Sequence, residues 1–197
     1  MSTKPRYEIT AIELSDDEYT VEQTGRDGNF RPEYEARNAA GETLFTCTYQ
    51  MYEEKDAFPF LDADGDEIFA VEAEDTWDVA ADYVLRDSRN GKNLFLLDND
   101  LSLFQDTWRI RDAHDESLLA EVTSRGALYT VGRKLLPFGK WIGHNFEIAD
   151  SDGDHVGSIE SGFAMFDEYE ITFDDASSVP REPIVASAIV IDGIQAN

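Results

Sequence analysis

Apolar and polar residues alternate with a period of two along most of this chain, and one alternation recurs. An aromatic residue is followed two positions later by an apolar residue and four positions later by Asp or Asn. The series runs Tyr34-Glu35-Ala36-Arg37-Asn38, Phe58-Pro59-Phe60-Leu61-Asp62, Tyr83-Val84-Leu85-Arg86-Asp87, Trp108-Arg109-Ile110-Arg111-Asp112 and Phe146-Glu147-Ile148-Ala149-Asp150. The first four aromatics lie 24, 25 and 25 residues apart, and the last gap is 38 residues.

Period two puts the aromatic and the apolar residue on one face of a strand. Asp or Asn then opens a turn by bonding its own backbone, often with Gly close behind. Asn38-Ala39-Ala40-Gly41, Asp62-Ala63-Asp64-Gly65 and Asp150-Ser151-Asp152-Gly153 fit that description. Return strands follow, such as Glu67 to Val71 and Ser117 to Val122. Five hairpins give ten strands. Tyr7 to Leu14 and Tyr169 to Phe173 add two more. The expected fold is mainly β: about twelve antiparallel strands closed into a barrel, since closure removes exposed sheet edges. The whole of 1–197 reads as one domain.

A barrel wider than about eight strands needs a filler. Ile184-Val185-Ala186-Ser187-Ala188-Ile189-Val190-Ile191 is apolar on every side, as a fully buried element is. Pro180 and Pro183 sit where a helix start tolerates them, and Gly193 where a helix can stop. The Ile and Val content favours a strand, and the filling argument favours a helix over about 181–194. The helix is the preferred reading. The run is far short of the roughly 20 residues of a spanning segment.

Charge changes the picture next. The chain carries 42 Asp plus Glu against 16 Lys plus Arg, a net charge of −26. Affinity for nucleic-acid phosphates rests on Lys and Arg, so no nucleic-acid partner is expected. The acids are spread through a chain that is 42% hydrophobic, which separates it from a disordered acidic tail. Sparse lysine and evenly spread acid suit an extreme halophile, where molar salt screens such a surface. The lone Cys47 excludes an internal disulfide framework. The start of the chain lacks the apolar core of a signal peptide, so the expected location is cytoplasmic or membrane-peripheral.

The hairpin series, Gly143-x-x-Phe146-x-Ile148-x-Asp150-x-Asp152-Gly153, Asp167-x-Tyr169-x-Ile171 and the closing apolar run with Asp192 together resemble the LURP-one-related proteins. These share the Tubby C-terminal-like fold with Tubby proteins and phospholipid scramblases. The resemblance implies a twelve-stranded barrel threaded by a hydrophobic C-terminal helix. Tubby proteins bind phosphoinositide head groups through basic residues, but no Tubby lipid-binding motif matches here residue by residue.

The chemistry-bearing residues give little. Asp62-x-Asp64-Gly65-Asp66 and Asp150-x-Asp152-Gly153-Asp154 look like calcium loops, yet neither has Gly at the sixth position or Glu at the twelfth. An acidic hairpin turn is the plainer account, and no metal or cofactor is expected. His114, His144 and His155 form no metal or catalytic signature, and Cys47 reads as a small buried strand residue. The chain is therefore expected not to be an enzyme.

One stretch departs from the acidic background. The 25 residues from Val122 to Phe146 contain no acid. They carry Arg125, Arg133, Lys134, Lys140 and His144, with Tyr129, Phe138 and Trp141 between them. Basic residues interleaved with aromatics suit a lipid–water interface or an anionic ligand. The opposing account is a more buried segment whose bases pair with acids elsewhere. The expected function is a non-enzymatic binding module docking an anionic lipid or a protein partner. An enzyme with a site assembled at a barrel mouth, and a purely structural or regulatory halophilic protein, are the alternatives.

Overall fold

A computed structural model describes Ile9, Ile12 and residues 14–50, 55–74, 82–101, 106–124, 145–162, 168–174 and 179–195. Twelve antiparallel strands form a closed barrel: β1 Glu18–Arg26, β2 Pro32–Asn38, β3 Thr43–Thr48, β4 Ala57–Leu61, β5 Glu67–Ala73, β6 Tyr83–Asp87, β7 Asn93–Leu101, β8 Asp106–Asp112, β9 Leu118–Ser124, β10 Phe146–Asp150, β11 His155–Ser161 and β12 Glu168–Phe173. Each strand pairs with its sequence neighbours, and β1 closes the ring on β12 with Tyr19 opposite Ile171. A single helix follows among the described residues, α1 Arg181–Gln195.

The recurrent pattern is the skeleton of this barrel. Its five aromatics and five apolar partners, from Tyr34 and Ala36 to Phe146 and Ile148, are all buried. Each of the five strands then shifts register just before its Asx residue, at Ala36/Arg37, Phe60/Leu61, Leu85/Arg86, Ile110/Arg111 and Ile148/Ala149. A bulge at that point raises the local twist, which helps a sheet curl into a barrel.

The turns themselves are built by the Asx side chains. Asn38, Asp62 and Asp150 each use Oδ1 to accept the N–H groups two and four residues on. Each backbone carbonyl accepts the N–H of the Gly three residues on. Those glycines, Gly41, Gly65 and Gly153, have φ of 79°, 85° and 86°, a region that L side chains rarely adopt. Asp87 and Asp112 open turns one residue longer by the same means.

The first strand differs from expectation. Tyr7 to Leu14 is not a described strand. Most of that segment lies outside the described residues; of those described, Ile9 and Leu14 are buried and Ile12 packs against the same core. The Leu14 N–H donates to Glu182 of α1 at 3.0 Å, which ties this segment to the helix start. The twelfth strand is instead Glu18–Arg26.

Helix α1 fills the barrel. Every residue from Pro183 to Gly193 is buried, and so are the inward residues of the strands around it. Pro183 is tolerated because first-turn N–H groups have no partner within a helix. Ser187 is accommodated in the apolar interior by donating its hydroxyl to the Ile184 carbonyl at 2.7 Å. Gly193 lies inside the helix rather than ending it. A Cβ there would meet Phe58 Cε1 at 2.8 Å and Tyr49 Cδ1 at 3.2 Å. Those two rings stack 4.3 Å apart and press on the helix backbone.

Candidate functional site

Up-and-down topology sorts the connections between two ends. The turns at 39–42, 62–66, 88–92, 113–117 and 151–154 lie at one end, with the start of β1 and of α1. They are short, and all but 88–92, which carries Arg89 and Lys92, contain acid. The opposite end carries the connections 27–31, 49–56, 74–82, 102–105, 125–145 and 162–167. Long connections on a rigid scaffold are where binding residues concentrate.

At the tight end the turn-opening carboxylates are occupied. Asp62 and Asp150 hold their own turns together as described above, so the calcium-loop resemblance comes from turn chemistry. Among the described residues no group of three or more His, Cys, Asp or Glu is arranged to hold a metal ion. His114 is exposed in its turn, and His155 Nε2 lies 3.2 Å from Asp174 Oδ2. Arg181 Nη2 donates to Asp17 at 2.9 Å, and its guanidinium lies 5.7 Å from the centre of the Phe173 ring. Together the two Arg181 contacts pin the helix start to the residue before β1 and to β12.

At the long-looped end the helix carries a buried polar centre. Asp192 Oδ2 accepts the Tyr34 hydroxyl at 2.7 Å, and Oδ1 accepts the Tyr169 hydroxyl at 2.5 Å. A carboxylate in the last turn of a helix faces the negative end of the macrodipole. The two short bonds offset that cost and the cost of burial. Burial, followed by the Asp192 charge, pushes the Tyr34 hydroxyl far above its ordinary range. Cys47 is also buried, and burial raises its thiol well above the usual value. It is placed as an interior strand residue, not as a nucleophile.

The acid-free stretch contains the longest connection of this end, 125–145. It leaves β9 after Ser124 and returns at Asn145, whose Oδ1 accepts the Ser161 N–H at 3.0 Å. Arg125, Arg133, Lys134, Lys140 and His144 lie outside the described residues.

A feature of the same end was not picked out from the sequence. The β1–β2 turn, Asp27-Gly28-Asn29-Phe30-Arg31, is an Asx turn like the others. Asp27 Oδ1 accepts the Asn29 and Arg31 N–H groups at 2.8 and 2.9 Å. The Arg31 N–H is the main reason the Asp27 carboxyl is held below its ordinary value. The position taken by Gly in the three turns of the same length is here Phe30, with φ of 65° and 76% of its surface exposed; the Asp112 turn likewise has a non-Gly residue, Glu116, at φ of 57°. Left-handed backbone costs an L residue roughly 1 kcal/mol or more. The signal was present in the sequence: three residues after the Asx stands Phe instead of Gly.

The barrel wall is a lattice of ion pairs. Arg37, Arg86, Arg109, Arg111 and Arg181 each reach a carboxylate on another strand or segment within 4 Å. A shallow groove of about 460 Å³ crosses β2, β1 and β12 and is lined by Glu18, Glu168 and Glu170 with Arg37. Arg37 there is already held by Glu22 and Glu35.

Among the described residues no helix is long and apolar enough to cross a membrane. A solved structure of an Arabidopsis thaliana protein is similar in fold, with a TM-score of 0.54 and 9% identity over 90% of this chain and 91% of that one. No curated protein matches the chain. The sequence model of the LURP-one-related family matches residues 45–192, from the third strand to the buried aspartate of the central helix. The chain belongs to the LURP-one-related family.

Proposed function

We propose that this protein is a non-enzymatic binding module that docks an anionic lipid surface through the long-looped end of its barrel. Its interior is taken up by α1, so recognition falls to the outer surface and the loops. One observation carries the reading: the 25-residue stretch without an acid, in a chain of net charge −26, contains the whole of the longest connection, 125–145, at the end where the long connections gather. Arg125, Arg133, Lys134, Lys140 and His144 supply the cations, and Tyr129, Phe138 and Trp141 the interfacial aromatics. Tubby proteins, which the family resembles in fold, use basic residues for phosphoinositide head groups. No cofactor is needed for such docking. The protein works in the cytoplasm, peripheral to the membrane.

Co-sedimentation of the full chain with vesicles at high salt tests the reading. The expected result is greater loss of protein to anionic than to neutral vesicles, with the preference abolished when Arg133 and Lys134 are both changed to Glu. Equal loss to both vesicle types removes the reading.

A further inference from the structure

We propose that the β1–β2 turn is a membrane-insertion tip, with Phe30 entering the apolar layer of an anionic lipid surface and Arg26 sitting at the head groups beside it. The inference rests on the docking reading above and adds the residue that anchors it. Three observations converge on this turn.

First, Phe30 holds a left-handed backbone that the three turns of the same length assign to Gly41, Gly65 and Gly153, and among the described non-Gly residues it shares that state only with the polar Glu116. Residues held in this region cluster at functional sites. Second, the Phe30 ring is the large apolar side chain left exposed among the described residues. The turn is held without it, by Asp27 and by the hydrogen bonds from the Phe30 N–H to the Asp27 carbonyl and from the Asp27 N–H to the Arg31 carbonyl. Third, the exposed Arg26 donates Nη1–H to the Phe30 carbonyl at 2.9 Å, whereas the wall arginines are spent on carboxylates. A cation is thereby fixed next to the aromatic tip, and the cost of ordering it is already met.

The shape of the feature chooses the partner. A stable protein interface buries about 800 Å² on each side, and one aromatic at a turn tip offers roughly 200 Å². A fluid lipid surface asks for no matched shape and accepts a single ring with a snorkelling arginine. The tip also shares its end of the barrel with the 125–145 connection. Ring insertion is not screened by salt, whereas the Arg26 contribution is.

The test uses full chains carrying Phe30→Gly, Phe30→Trp or Arg26→Glu, sedimented with phosphatidylcholine vesicles with and without phosphatidylserine. Phe30→Gly should weaken partitioning about tenfold at any salt, the size expected for partly burying one aromatic. Phe30→Trp should match or exceed the native chain. Arg26→Glu should weaken binding only to phosphatidylserine vesicles, and less so as salt rises. Phe30→Gly should melt at or above the native temperature, because glycine fits the turn. A Phe30→Gly chain that binds like the native one while the Arg133/Lys134 double Glu variant loses binding overturns the tip and leaves the docking surface. A Phe30→Gly chain that is less stable makes Phe30 a structural residue and also overturns it. A native chain that sediments with neither vesicle removes both readings.

Discussion

Tyr34 on the second strand donates its hydroxyl to Asp192 on the central helix at 2.7 Å, across 158 residues of sequence. Tyr169 on the last strand holds the other oxygen, so one carboxylate fixes the depth of the helix against both sides of the β1 seam. Tyr34→Phe should destabilise the protein by about 2 kcal/mol, because a buried acceptor loses a strong donor. Asp192→Ala should cost about 3 kcal/mol or more, since it strands two buried hydroxyls and opens a gap. Urea unfolding measures both.

The helix also buries a continuous apolar run inside the ring of strand side chains. Deleting the residues after Pro183 removes Ile184, Val185, Ile189, Val190 and Ile191, whose burial contributes on the order of 10 kcal/mol. That equals a typical domain's whole stability. The truncated chain should show no cooperative thermal transition. A sharp transition in calorimetry would contradict the plug.

Gly193→Ala sets two effects against each other. Alanine improves helix propensity by about 1 kcal/mol. Its Cβ would lie 2.8 Å from Phe58 Cε1 and 3.2 Å from Tyr49 Cδ1, and the stacked rings have little room to retreat. Overpacking of this kind costs about 1–3 kcal/mol, so the net outcome should be destabilisation of up to about 2 kcal/mol. A denaturant midpoint above the native value would show that the rings yield.

Alkaline pH should unfold the barrel through its tyrosines. Burial raises the Tyr19 hydroxyl from the ordinary 10 to about 12, and it raises Tyr34 and Tyr83 further. A raised folded-state value favours the protonated form. The associated stability is complete below pH 10 and is lost as pH climbs toward 12. Absorbance at 295 nm should therefore show these tyrosines ionising together with loss of tertiary structure, and Cys47 should become reactive to thiol reagents in the same step.

What could be read from the sequence follows from which forces are local. The five Asx hairpins were legible because a single side chain builds each turn and period two sets each buried face. Ten strands, β2 to β11, come from that pattern, and Tyr169 to Phe173 is recovered as β12. The first strand was not legible. Glu18–Arg26 starts well with Tyr19 and Val21 but ends in Gln23-Thr24-Gly25-Arg26, with a register shift between Gln23 and Gly25. Tyr7 to Leu14 also alternates, and of its described residues Ile9 and Leu14 join the core, with the Leu14 N–H bonded to the helix start. Gly193 looked like a stop signal because sequence does not reveal the Tyr49 and Phe58 rings pressed against it. Phe30 was passed over because one aromatic in a turn carries no periodicity; only comparison with the glycines of the sister turns marks it. The five basic site residues between Arg125 and His144 were singled out by the missing acids around them, and they lie outside the described residues.

Hydrogen–deuterium exchange of the full chain, with and without phosphatidylserine vesicles, tests the central claim most directly. Docking through the long-looped end predicts slowed exchange in peptides covering 26–31 and 125–144, with no change at the Asn38, Asp62, Asp87, Asp112 and Asp150 turns. Slowed exchange confined to those five turns, or no change anywhere, would contradict it.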